Sequence, residues 1–431
     1  MSARRMTAAL AALLACTTAP ALAQTVAITG GKVVIGDGSD PIEGGTVLVQ
    51  NGKVVAAGRN VAVPAGVPKV DASGKWVTPG LVVAVTDIGL YDVEAVGDSN
   101  DSGADKSPFS ASLDISQAIN PDAQHIKVSR AGGVTRAAIA PIGTDQIFGG
   151  QGAVIDLGAD PDPVVAARAF QYVELGETGA SRAGGSRVAA WAELHNALTE
   201  AKELSLAPAG PRRDDVMLNR RDAQALIAVV TGRQPLYVHV ERAADIRMVL
   251  GLRKEFPLIK LAIVGATEGW MAASELAAAG VPVFATPLND LPASFEQLGA
   301  TQSNVGRMKA AGVKVSLGAF FDQPRYAPQY AGNLVALGKV PGASGLTWNQ
   351  AFAAISSAPA EAMGMGDRFG SLRPGRAGDV VIWDGDPLEV TSGVAKVFID
   401  GVEQPLKSHQ TQLRDRYLSP VEGALPKAYD W

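Results

Sequence analysis

Between residues 79 and 364 the chain repeats one pattern, in which a short apolar run of strand length is followed by a segment with helical spacing. Residues 236–240 are such a run, with a helix expected over 243–256. The runs at 260–264, 281–285 and 313–318 alternate with expected helices over 267–279 and 301–311, and 348–356 closes the series. Thr267 and Thr347 stand where a capping hydroxyl would open their helices. A strand at 133–140 follows a helix over 122–131. Repeated βα units joined by right-handed crossovers make a parallel sheet, and a span of this size favours closure into an α/β fold of the (β/α)8 TIM-like barrel type. The first run, Leu81-Val82-Val83-Ala84-Val85, has no polar alternation, as expected of a strand buried on both faces.

The two ends read differently. Short strands and tight turns fill 24–78, with Asn51-Gly52 as a strong hairpin signal. A second set of strands lies in 365–405, around Asp379–Asp384 and the Asp400-Gly401 turn. Neither piece is large enough to be comfortable alone. The expectation is a flanking β-sandwich formed from the N- and C-terminal segments, 24–78 and 365–405, with the barrel 79–364 inserted between them and a tail over 406–431. Two segments break the rhythm: 98–112 reads as a long polar loop, and the alanine-rich 166–206 reads as mostly helical. Gly149-Gly150-Gln151-Gly152 is either a tight turn or a backbone cradle for an anion.

A net charge of -5 argues against a nucleic-acid partner. The clusters at 212–215 and 220–222 mix both signs and read as solvated helix surface. No stretch reads as a transmembrane helix. The first residues resemble an export signal: Arg4 and Arg5, an apolar centre over 8–15, and a small-x-small cleavage site at Ala21-Leu22-Ala23. The expected signal is therefore 1–23 and the expected location a bacterial periplasm. Leu13-Leu14-Ala15-Cys16 offers lipoprotein anchoring as the alternative. Cys16 is the single cysteine, so a chain cleaved at Ala23 has no disulfide and no thiolate nucleophile.

Several motifs, in order, resemble the imidazolonepropionase-like branch of the amidohydrolase superfamily. They include Gly30-Gly31-Lys32-Val33-Val34, Thr78-Pro79-Gly80-Leu81, Ala131-Gly132-Gly133-Val134-Thr135 and Gly149-Gly150-Gln151-Gly152. His239-Val240-Glu241-Arg242, Gly265-Ala266-Thr267-Glu268-Gly269-Trp270 and Gly370-Ser371-Leu372-Arg373-Pro374-Gly375 continue the series. The resemblance implies a barrel whose strand ends hold one or two divalent metals, zinc or another, that activate water for hydrolysis of a carbon–nitrogen bond. In that family the ligands come from strands one, four, five, six and eight.

Carried over residue by residue, the ligand set is depleted. The first-strand histidine pair falls on Val85 and Asp87. The fourth-strand ligand falls near Gln171, Tyr172 and Glu174, with no lysine. The fifth-strand histidine matches His239, the sixth matches Gly265, and the eighth-strand aspartate falls at Ala319 or Phe320, with Asp322 displaced from it. The chain has four histidines, and His125, His195 and His409 do not stand at expected strand ends. What remains for a metal is His239, Asp87 and Asp322, too few for a binuclear centre, so no resident cofactor is expected unless this depleted set still binds zinc or a similar ion. Each has a bland alternative: His239 as a relic held by barrel packing, Asp87 as a solvated loop residue or a helix cap, Asp322 as a turn residue. His239 is the candidate catalytic residue. Glu241 and Glu268 are either an acid/base pair or simply solvated carboxylates, and Trp270 and Phe320-Phe321 line either a pocket or the core.

The expectation is a hydrolase of non-peptide or cyclic amides by resemblance, silent or atypical because most ligands are missing. The alternative is a non-catalytic binding or assembly subunit that pairs with an intact paralogue. Expected partners are a small amide-like ligand and other protein chains, as a homo-oligomer or a hetero-oligomer.

Overall fold

Among the described residues five strands come first: β1 (Val26–Val33), β2 (Ile42–Gln50), β3 (Lys53–Gly58), β4 (Lys69–Asp71) and β5 (Trp76–Pro79). Eight follow: β6 (Leu81–Thr86), β7 (Val134–Ile139), β8 (Phe148–Asp156), β9 (Val164–Glu174), β10 (Leu236–Val240), β11 (Leu261–Gly265), β12 (Val283–Ala285) and β13 (Val315–Leu317). Three come last: β14 (Val380–Trp383), β15 (Val394–Ile399) and β16 (Val402–Glu403). This computed structural model describes residues 25–418, apart from 94, 142, 144, 209–213, 321 and 322. The expected export signal with Cys16, Arg212-Arg213, Phe321, Asp322 and the aromatic end of the tail lie outside the described residues.

Strands β6 to β13 make one sheet in chain order. A bridge between Ala84 and Gly318 brings its two edges together, with Ala319 N donating to Ala84 O at 3.1 Å. The result is a nearly closed eight-stranded barrel. It is not uniformly parallel, which corrects the expectation from the βα rhythm: β8 runs antiparallel to both β7 and β9. The links on either side of β8 are too short to carry a crossover helix, so the chain must reverse. The helical expectation over 166–206 also fails in its first part. Residues 164–174 are β9, because pairing with β8 and β10 on either side outweighs alanine's helix propensity.

The helices are α1 (Gln124–Ala131), α2 (Gly176–Arg182), α3 (Arg187–Leu206), α4 (Arg220–Val230), α5 (Ala243–Gly251) and α6 (Ala273–Ala279). After them come α7 (Asn304–Ala310), α8 (Ala327–Leu337), α9 (Trp348–Ala353), α10 (Ser357–Ala362) and α11 (His409–Leu418). Thr347 caps α9 in a reciprocal capping box with Gln350. Thr267 does not cap α6, which starts six residues further on, after a 3-10 turn at Gly269–Ala272. Among the described residues no helix is long and apolar enough to cross a membrane.

Alternation along the strands sorts two cores. Leu236, Val238 and Val240 face the helices, whereas Tyr237 packs inside the barrel, stacked on Phe170 with ring centroids 4.1 Å apart. Gly149 to Gly152 lie within β8 and form neither a turn nor an anion cradle. A Cβ on Gly152 would stand 2.1 Å from the Phe170 ring, so the glycine makes room for that aromatic layer.

The two chain ends share one continuous sheet, ordered β16-β15-β14-β5-β1-β2-β3 with β4 beside β1. The joint is the antiparallel pair β5–β14, where Val77 faces Ile382. A buried ionic group fastens this sheet to the barrel. Arg136 on β7 gives its Nε to Asp379 Oδ2 at 2.7 Å and its Nη2 to Asp379 Oδ1 at 2.9 Å, while Asp400 and Asp156 stand at 2.8 and 3.7 Å. Asp222 corrects another expectation. It is not solvated but buried at the start of α4, where it accepts from Ser110 N, Ser112 N and Ser112 Oγ and so anchors the long polar loop.

Candidate functional site

The inward-facing positions of β9 and β10 carry their alternation out to the barrel mouth. Phe170 and Tyr172 lead to Glu174, and Tyr237 leads to His239 and Glu241. The β9–β10 register sets His239 directly beside Glu174. The imidazole is held on both sides: Nδ1 pairs with Glu174 Oε1, and Nε2 lies 3.2 Å from Glu241 Oε1. The other oxygen of Glu241 accepts from Thr267 N at 2.7 Å, and the Tyr172 hydroxyl donates to Glu174 Oε2 at 3.4 Å.

The electrostatics follow from this geometry. Burial works against a charge on His239, but the Glu174 charge and the hydrogen bonds to Glu174 and Glu241 together outweigh it and hold the ring's pKa well above the ordinary value. Burial raises Glu241, yet the bonds from His239 and Thr267 and the imidazolium charge bring it below the usual carboxylate range. Tyr172 is pushed well up by burial and by the Glu174 charge, so it stays a neutral donor. The His239 ring is thus held between two carboxyl side chains that favour its charged form.

Glu241 stands where a sixth-strand side chain would need space. A Cβ on Gly265 would meet Glu241 Oε1 at 2.6 Å, and Gly265 has φ of +86°. Left-handed backbone recurs at two other positions that the family resemblance assigns to ligands. Val85 has φ of +62° and Ala319 +57°, and for a β-branched residue this is a strained conformation. A bulge between Val83 and Thr86 accompanies the strain at Val85.

A second ionic group flanks the clamp. Arg187 reaches Glu296 at 3.1 Å and Asp245 at 3.2 Å, and Glu296 also accepts from Glu177 N at 2.7 Å. Burial raises the Glu296 carboxyl despite these bonds. Glu268 does not pair with Glu241 as an acid/base couple. Its oxygens accept from Ala243 N at 3.0 Å and Gly299 N at 2.8 Å, which satisfies the start of α5. Trp270 donates to Gly299 O at 2.9 Å beneath the Arg307 guanidinium, and Phe320 is buried against Tyr330.

Of the three residues proposed for a metal, His239 stands at the mouth, Asp87 is buried just beyond β6, and Asp322 lies outside the described residues. The two partners of the His239 ring are Glu174 and Glu241, not Asp87. Among the described residues no group of three His, Cys, Asp or Glu side chains is arranged to hold a metal ion. Both nitrogens of His239 are engaged by carboxylate side chains, Nδ1 by Glu174 and Nε2 by Glu241. The partnership with Glu174 was legible only as a glutamate near the fourth strand end. Glu241 could be placed beside His239 by period-two alternation, but its occupation of the Gly265 space carried no signal in the sequence.

Residues 261–403 match the model of the Amidohydrolase family. The chain is 26% identical over 417 residues to Amidohydrolase tasK of Hapsidospora irregularis, covering 84% of this chain and 40% of that protein, so it spans well under half of that curated relative's length. The crystal structure of an amidohydrolase from Thermotoga maritima MSB8 superposes with a TM-score of 0.77 and 26% identity, over 88% of this chain and 99% of the other. Molinate hydrolase superposes with a TM-score of 0.54 and 18% identity over 95% and 99%, which is a likeness of fold. The chain has the amidohydrolase fold, and its residues 261–403 carry the family's sequence match.

Proposed function

We propose that this protein is an amidohydrolase-fold protein of the imidazolonepropionase-like branch that binds a small amide-like ligand without metal-dependent hydrolysis. The observation that carries the reading is the Glu174–His239–Glu241 clamp, which commits both imidazole nitrogens and fills the space beside Gly265. The left-handed backbone at Val85, Gly265 and Ala319 supports descent from a ligand-presenting mouth, since strained conformations of this kind cluster at functional sites. The test is metal analysis of the purified protein alongside an amidase assay with added zinc or manganese. The expected result is substoichiometric metal and no chelator-sensitive turnover. One or two bound ions per chain with chelator-sensitive hydrolysis would overturn the reading.

One observation favours an assembly role beside this. The segment after β12 exposes Leu291, Phe295 and Leu298, with Phe295 83% exposed. Apolar side chains this open are the kind a partner subunit covers. Co-purification with an intact relative, lost on Phe295→Asp, supports pairing; a lone monomer under the same conditions refutes it. Export follows from the N-terminal pattern, and N-terminal sequencing of the mature protein is expected to begin at Gln24; retention of Met1 would refute it.

A further inference from the structure

The opposite end of the barrel, where the strands begin, holds a cavity of about 630 Å³. That volume suits a small organic molecule. Its rim carries Arg233, Arg253, Lys260, Lys309 and Lys314 against the single carboxylate Glu361. The chain as a whole is acidic, with a net charge of -5, so five cations around one opening are a local concentration that composition does not supply. Among the described residues none of the five has a carboxylate within ion-pair distance. Arg253 Nη1 donates to Ala279 O at 2.7 Å, and Arg233 Nε to Thr231 Oγ1 at 3.1 Å.

Helix C-termini attract cations, which accounts for Lys309 in the last turn of α7 and for Arg253 at the end of α6. It does not account for Lys260 and Lys314, which immediately precede β11 and β13, or for Arg233 just before β10. The wall and floor between the charges are apolar, formed by Leu261, Ala262, Val315, Met363 and the face of Tyr237. Tyr237 is buried, and burial raises its pKa above the ordinary phenol value, so it adds no negative charge.

We infer that this cavity is a binding site for a small organic anion with an apolar body and two or more negative charges, carried as phosphates or carboxylates. The cations of the rim pair with the charged groups, and the apolar floor takes the body. The site lies at the end of the barrel opposite His239, and its occupancy does not depend on the chemistry of the mouth.

Isothermal titration calorimetry on the full chain at low ionic strength tests this with three probes: adenosine diphosphate, benzene-1,2,4-tricarboxylate and uncharged adenosine. One or both anions are expected to bind and adenosine not to. Binding should weaken on the order of tenfold in Lys309→Glu/Lys314→Glu, and further as salt is raised. Both lysines are exposed, so the double variant should melt like the parent, and Lys260→Glu provides a second variant if it does not. Binding of the diphosphate alone assigns a phosphate ligand, and binding of the tricarboxylate alone a carboxylate one. Failure of both anions to bind, adenosine binding as tightly as its diphosphate, or affinity unmoved by the charge reversals would overturn the inference.

Discussion

The carboxylate of Glu241 lies in the space that a side chain at Gly265 would occupy, with Oε1 only 2.6 Å from where a Cβ would stand. Glycine also supplies the φ of +86° that the end of β11 adopts there. Gly265→Ala is therefore expected to destabilise the fold by about 3 kcal/mol or more. In a Glu241→Ala background the same substitution should cost about 1–2 kcal/mol less, because the clash is gone while the backbone strain remains. Chemical denaturation of the four proteins checks this. Strict additivity would show that the two residues do not share the space.

His239 should keep its ring proton to higher pH than an ordinary histidine does. NMR titration of the ring reads this directly, and a midpoint near 6.5 would refute the clamp. The stability consequence has a defined sign. The folded pKa is raised, so the contribution is complete below the unfolded value of about 6.5 and fades as pH rises through the folded value. His239→Gln should thus cost most at pH 6, on the order of 1–3 kcal/mol, and least in alkaline solution.

Arg136 and Asp379 form a buried two-bond pair between β7 and the residue before β14. Removing one partner leaves an uncompensated charge between the barrel and the flanking sheet. Asp379→Ala should cost about 3–5 kcal/mol. Arg136→Lys should not restore the parent stability, since an ammonium cannot serve both oxygens in the same plane. Thermal melts of both variants decide the matter, and a parental melting temperature for Arg136→Lys would refute the bidentate role.

Asp156 is the strained member of that group. Burial pushes its carboxyl up to about 6, against the pull of Arg136 and of Gly158 N. With the folded pKa above the unfolded one of about 3.8, the folded state holds the extra proton between the two values, and stability from this group falls as pH rises from 4 to 6. Asp156→Asn should keep the bond from Gly158 and raise the melting temperature at pH 7.5 relative to its effect at pH 4. A loss at pH 7.5 larger than at pH 4 would contradict this.

The βα rhythm and the Asn51-Gly52 hairpin were legible in the chain itself. Asn51 and Gly52 adopt φ of +51° and +74°, the conformation that dipeptide favours. The strands at 236–240 and the helix opened by Thr347 are found where local pattern places them. Residues 164–174 were not legible, because alanine's helical preference is a small local effect and two neighbouring strands outweigh it. The antiparallel β8 depends on loop length rather than on any pattern within the strand itself.

What the sequence by itself determined is an inventory: four histidines, and a valine, a glycine and an alanine or phenylalanine where the resemblance asks for metal-binding side chains. An inventory needs no geometry, since a donor that is missing from the chain is missing from every fold of it. Only the tertiary structure decided what stands around His239. Glu174 and His239 are 65 positions apart and meet through the register of β9 on β10. Glu241 turns into the Gly265 space because β10 and β11 end side by side. Pairings across strands are fixed by register and closure, and these are properties of the assembled barrel rather than of any segment of it.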